Sequence, residues 1–142
     1  MEYKDRFLNL MLLRVDMSRG TLWRVAESVW IRNIKGYVDG DRKCHVGLSI
    51  RNRPVCSVGD MIPMLIGTSK GNPSSDFSVS GCFSEQSKQL TFFRLRPYQI
   101  PLSDSYDDKY GPMIEPNPPK RRLTSLELSR LNGFLAKKGV FA

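Results

Sequence analysis

The chain holds one histidine, His45, so proton transfer by an imidazole near neutral pH would have to pass through it. It lies where Cys44, Val46, Leu48 and Ile50 alternate with His45, Gly47 and Ser49. That period-two pattern predicts a half-buried strand with His45 on its polar face, a surface histidine rather than a catalytic base. No serine elbow, Walker loop, HExxH helix or paired-carboxylate pattern surrounds it. Carboxylates cluster only at Asp104, Asp107 and Asp108, in a proline-bounded stretch poorly suited to holding a rigid site. Metal chemistry would have to draw on Cys44, His45, Cys56 and Cys82, and none of these stands in the short two-cysteine knuckle that shapes structural zinc sites. Adjacent Cys44 and His45 also point to opposite faces of a strand. The expectation is no catalytic residue, no metal and no cofactor, and hence not an enzyme.

Binding chemistry is better supplied. Lys and Arg number 22 against 14 Asp and Glu, a net charge of +8. Such a surplus favours anionic partners: nucleic acid or ribonucleoprotein, or an anionic membrane surface met peripherally. The cations fall into sets. Lys35, Arg42, Lys43, Arg51 and Arg53 surround the strand that carries His45. Lys120, Arg121 and Arg122 precede a C-terminal helix that bears Arg130, Lys137 and Lys138. Long flexible cations reach phosphates without a preformed pocket, giving salt-dependent, sequence-tolerant binding. A third group, Arg94, Arg96 and Tyr98, follows Phe92 and Phe93, and interleaved arginine and aromatic residues on a sheet can stack unpaired bases. Trp23, Trp30, Tyr37 and Phe141 are further candidate contacts, although tryptophans beside an apolar stripe usually serve the core.

These groups need a scaffold. A length of 142 residues with 40% hydrophobic content suits one domain, 1–142, with one core. Phe7 to Met17 reads as a strand; Asn9 and Arg14 interrupt it too often for a signal peptide, and no run approaches the ~18 apolar residues that span a membrane. Thr21 is placed to cap a short helix with Leu22, Val25, Ala26 and Val29 at helical spacing. Cys44 to Ile50 is a strand, Val55 to Ile66 one or two more, and residues 67–76 a loop. Phe77 to Phe83 and Gln89 to Arg96 form a hairpin. Residues 97–119, rich in proline and acidic side chains, read as a long extended loop. Thr124-Ser125-Leu126-Glu127 is a capping box for a helix with its stripe at Leu128, Leu131 and Leu135 and its stop at Gly139, closing the basic segment 120–139. The fold class is α+β: a single domain, mainly antiparallel β-sheet, with a short N-terminal helix and a capped C-terminal helix. Three cysteines, an odd count, and the proline in Asn72-Pro73-Ser74, which blocks glycosylation, predict an intracellular location, cytoplasm or nucleus.

Three pieces taken in order resemble the globular domain of rhabdovirus-type viral matrix proteins. They are Tyr3-Lys4-Asp5-Arg6-Phe7, Leu22 to Trp30, and Leu126 to Gly139 with its Gly133-Phe134-Leu135-Ala136-Lys137-Lys138 segment. The family opens a strand near a Tyr-x-x-x-Phe pattern, follows it with a short tryptophan-bearing helix, and places a helix after the sheet. The resemblance implies a non-enzymatic structural protein that forms homo-oligomers and bridges a ribonucleoprotein to an anionic membrane, with a peripheral-membrane or virion location. The family's basic N-terminal arm with a Pro-Pro-x-Tyr motif has no counterpart here, since Pro116-Asn117-Pro118-Pro119 lacks the tyrosine. Two other readings stand beside it. One is a small β-barrel of OB type binding single-stranded nucleic acid through Arg94, Arg96 and Tyr98. The other is a protein-interaction adaptor or host-defence suppressor that docks through residues 97–119.

Overall fold

Tryptophan sets the middle of this fold. In β1, Leu22–Ala26, Leu22, Trp23 and Val25 are all fully buried. Consecutive strand residues point to opposite faces, and these do: Trp23 and Val25 belong to one core, Leu22 to another. The helix expected from Thr21 is therefore a strand as far as Ala26, and helix α1 is Glu27–Asn33. Residues buried on both sides suit a covered strand and cannot form the one-sided stripe of a surface helix. The computed structural model describes residues 6, 19–37, 44–51, 59–83 and 88–139. The expected strand at 7–17 lies outside them, as do Arg42, Lys43, Arg53 and Cys56.

β2, Cys44–Ser49, pairs antiparallel with β1, Val25 opposite His45 and Leu22 opposite Leu48. It is a strand as its alternation predicts, but Val46 to Ser49 are buried on both faces because a helix covers each side of the sheet. Gly47 sits where a Cβ would come within 3.2 Å of Trp30, Val25 and Met64, so its missing side chain admits the indole of α1. The Trp23 indole N–H donates to Ser49 Oγ at 3.3 Å, which settles the one polar atom of that buried ring.

β3, Met61–Thr68, pairs with β2 on one edge. Its other edge is shared by β5, Leu90–Phe93, and β6, Tyr98–Pro101. β4, Phe77–Ser80, completes the expected hairpin with β5. The extended loop expected over 97–119 is instead structured: β6, a 3-10 turn at Leu102–Ser105, the small hairpin β7 (Tyr106–Asp107) and β8 (Gly111–Pro112), and β9 (Ile114–Pro116), which pairs with β1. Ile100, Leu102 and Ile114 are fully buried and pin it down. Two of its acidic residues, Asp104 and Asp107, are internal ligands. Asp104 accepts from Arg32 at 3.1 Å and from Asn33 at 2.8 Å, and Asp107 accepts the Lys109 and Tyr110 amides.

The main sheet runs β4-β5-β3-β2-β1-β9 with β6 beside β3, so the described strands form an open path rather than the closed barrel of an OB fold. α1 packs with Trp23, Val25, Ile62, Met64 and Ile100 on one face. α2, Ser125–Lys138, sets Leu131 and Leu135 against Leu22, Leu48, Leu65 and Phe77 on the other. Its capping box is complete: Thr124 Oγ1 accepts the Glu127 amide at 3.2 Å, Glu127 Oε1 accepts the Thr124 amide at 2.9 Å, and Gly139 ends the helix at φ +68°. The result is the predicted α+β domain, a mainly antiparallel sheet with, among the described residues, α1 on one face and α2 on the other. Among the described residues no helix is long and apolar enough to cross a membrane.

Candidate functional site

The division of β3's outer edge between two strands opens a gap. β6 pairs with Met61 to Met64 and β5 with Gly67 and Thr68, so Leu65 and Ile66 have no ladder partner on that edge. The chain between β5 and β6, residues 94–97, turns out of the sheet there, with Arg96 N donating to Arg94 O at 2.8 Å. A cavity of about 380 Å³ lies beside the gap. Three cations border it: Lys70 from the loop after β3, and Arg94 and Arg96 from the turn. Its rings are Tyr98 at the start of β6, His45 in β2 and Tyr37. Ile66 and Thr68 supply the strand side. Arg96 lies over the Tyr98 ring at 5.7 Å, so cation and ring are held together.

Tyr37 arrives by a sharp reversal after α1. Gly36 takes φ +78°, a conformation open to glycine without penalty, and the Tyr37 amide donates to Ile34 O at 3.2 Å. Behind the rings stands Glu27, the first residue of α1 and only 8% exposed. It accepts the Tyr37 hydroxyl at 2.9 Å on Oε1, and its Oε2 lies 3.1 Å from His45 Nε2. Tyr37 and His45 meet edge to face, their centroids 6.3 Å apart. His45 is thus not the surface histidine its polar-face position predicts. The register sets it opposite Val25, on the face that α1 covers, and one turn of chain beyond Val25 the Glu27 carboxylate reaches back to it. His45 Nδ1 is buried with no hydrogen-bond partner among the described residues.

Four cations of the two basic sets, Arg51, Lys120, Arg122 and Arg130, have structural partners. Arg51 is buried, pairs with Asp60 at 3.3 Å and donates to Met61 O at 3.1 Å. Lys120 Nζ pairs with Glu127 at 2.8 Å and donates to Ser80 O at 3.0 Å. Arg130 donates to Ser78 O at 3.1 Å and lies over the Phe77 ring at 5.3 Å. Lys120 and Arg130 therefore cap carbonyls of β4, the end strand of the sheet, where bare edges invite unwanted pairing. Arg122 donates to Thr21 Oγ1 at 3.1 Å. Lys35, Arg121, Lys137 and Lys138 are exposed. Lys120, Arg121 and Arg122 line one cavity, of about 350 Å³, with Gly81, Pro119 and Thr124, and Arg94, Arg96 and Tyr98 are gathered round the one beside the gap. Their companions Lys70 and Glu27 carried no signal in the sequence, because strand register brings them in from distant segments.

Cys44, His45 and Cys82 also border a smaller cavity, about 150 Å³, next to the first. Burial raises the Cys82 thiol above its ordinary range, against smaller opposing pulls from Thr91 and Lys120. No three His, Cys, Asp or Glu side chains among the described residues are grouped to hold a metal ion. Comparison with known proteins finds no family model, no curated protein and no solved structure that matches this chain.

Proposed function

We propose that this is a non-enzymatic binding protein whose ligand is single-stranded nucleic acid, held across the cavity between β5 and β6. The observation that carries the reading is the meeting of Arg94, Arg96 and Lys70 with Tyr98 and Tyr37 at one opening in the sheet edge. Cations take phosphates, and tyrosine rings offer faces to unpaired bases. A duplex keeps its base faces stacked and gives the tyrosines nothing. Replacing Arg96 and Tyr98 together with alanine weakens oligonucleotide binding at least tenfold in a gel-shift series, the scale expected for losing one stacked base and one phosphate contact. The residual binding then shows a shallower dependence on salt. Unchanged affinity in the double variant would sink this site.

A second reading adds a membrane. The matrix-like role, a self-associating protein bridging ribonucleoprotein to an anionic membrane, is favoured by one observation. Lys137 and Lys138 are exposed at the end of α2, the helix on the face opposite the cavity. Two cationic surfaces turned away from each other suit a bridge between two polyanions.

A further inference from the structure

We infer that the cavity is a one-nucleotide site: it takes a single unpaired base inward with its phosphate at the cationic rim, so that a free nucleoside monophosphate occupies it alone. This rests on the single-strand reading and adds where the affinity lies. Three observations lead to it.

The first is size. About 380 Å³ falls near the lower end of small-ligand pockets, which run from roughly 300 to 1,000 Å³. That volume suits one nucleotide and excludes two stacked ones. A groove that tracked the backbone would instead run on past the opening, and β5 and β6 close the edge of β3 on either side of it.

The second is segregation of chemistry. Lys70, Arg94 and Arg96 come from the two loops at the mouth, and Arg94 and Arg96 are exposed. Tyr37, Ile66 and Tyr98 are partly buried and pack against the core beneath. A ligand anionic at one end and flat and aromatic at the other suits this lining, which fits a nucleotide and neither a bare phosphate nor a fatty chain.

The third is orientation. Glu27 stands directly behind Tyr37 and His45, buried and held by both. Its carboxylate repels a phosphate that tries to enter base-last, and its hydrogen bond fixes the Tyr37 ring before the ligand arrives. Preorganisation of that kind spares part of the ordering cost of binding. The base goes in and the phosphate stays out.

The test uses the full chain with four probes: a labelled single-stranded oligonucleotide, a nucleoside 5′-monophosphate, the matching nucleoside, and inorganic phosphate. Tyrosine fluorescence and competition against the oligonucleotide are read for each. The monophosphate is expected to displace the oligonucleotide, with nucleoside and phosphate each at least tenfold weaker, and to lose its binding with Arg96→Ala plus Tyr98→Ala. If the oligonucleotide needs Arg96 and Tyr98 but millimolar monophosphate neither binds nor competes, the strand reading stands and the one-nucleotide site is overturned. If phosphate competes as well as the monophosphate, the cavity is a bare anion site and the inference fails. If the oligonucleotide ignores the double variant, the single-strand reading falls with it. Circular dichroism of the variant guards against reading misfolding as lost binding; both replaced side chains sit at the opening, outside the fully buried core.

Discussion

Lys120 shows how a cation in a basic run can belong to the fold. Its ammonium lies 2.8 Å from Glu127 and 3.0 Å from Ser80 O, and both charged side chains are largely shielded. Burial pulls the Glu127 carboxyl upward. The Lys120 ammonium and the amide and hydroxyl of Thr124 together pull harder the other way, so its pKa lies below the ordinary glutamate value. A depressed carboxyl contributes stability that is fully present above its unfolded pKa, about 4.3, and is lost as pH falls through the folded value. Thermal melts should therefore lose this contribution as pH falls below about 4.3. Glu127→Gln keeps an oxygen that can accept the Thr124 amide but removes the charge that pairs with Lys120, and should cost about 0.5 kcal/mol at pH 7. Its melts should then fall less steeply in acid than the parent's. Equal acid slopes in the two proteins would show that this carboxyl is not a seat of the pH dependence. Arg51 with Asp60 and Arg130 with Ser78 make the same point without titration: a residue count measures charge, and partners decide how much of it faces solvent.

Among the elements, the stretch 97–119 carries the largest consequence. As a docking loop it would be removable. As built, deleting residues 104–117 takes away β7, β8 and β9, and with them one of the two pairing partners of β1 and the fully buried Ile114. Truncating one buried isoleucine costs roughly 2–5 kcal/mol, against a total stability of roughly 5–15 kcal/mol for a domain. The deletion should abolish the cooperative thermal transition, and a sharp melt within a few degrees of the parent would contradict the placement of β9. The reason the sequence misleads here is physical. Ile100, Leu102 and Ile114 anchor the stretch without any period, while prolines and aspartates dominate its composition, and at sheet edges and turns those residues are compatible with order. β1 misleads for the opposite reason. Leu22, Val25, Ala26 and Val29 fit a helical period, and only the second covered face of the sheet, a fact about distant residues, decides for a strand. Where local chemistry suffices, the reading carries through: the alternation of β2, the hairpin of β4 and β5, and above all the Thr124–Glu127 box of α2. Of the site, Arg94, Arg96 and Tyr98 were legible as a short run. Glu27, Lys70 and the buried setting of His45 depend on register and on the covering of a face by α1, and no local pattern announces either.

At the scale of the whole molecule, the open sheet with α1 on one face and α2 on the other separates two kinds of surface. The cavity adjoins the core under α1, whereas Lys137 and Lys138 end the helix on the other side. Cations there can meet acidic head groups at about 1 kcal/mol each while the cavity holds a strand. If the protein bridges, labelled oligonucleotide should co-sediment with anionic vesicles only when the protein is present, and not with neutral vesicles. The two surfaces should then fail separately. Lys137→Glu with Lys138→Glu should free the complex from vesicles and leave oligonucleotide affinity within about twofold, since these side chains do not line the cavity. Arg96→Ala with Tyr98→Ala should do the reverse, releasing the oligonucleotide while the protein still sediments. Both contacts should weaken with salt, the strand contact less completely, because stacking on tyrosine survives the screening that phosphate contacts do not. If either pair of substitutions abolishes both contacts in a folded protein, the anions share one surface, and a molecule with a single anion-binding face cannot hold a strand and a membrane at once.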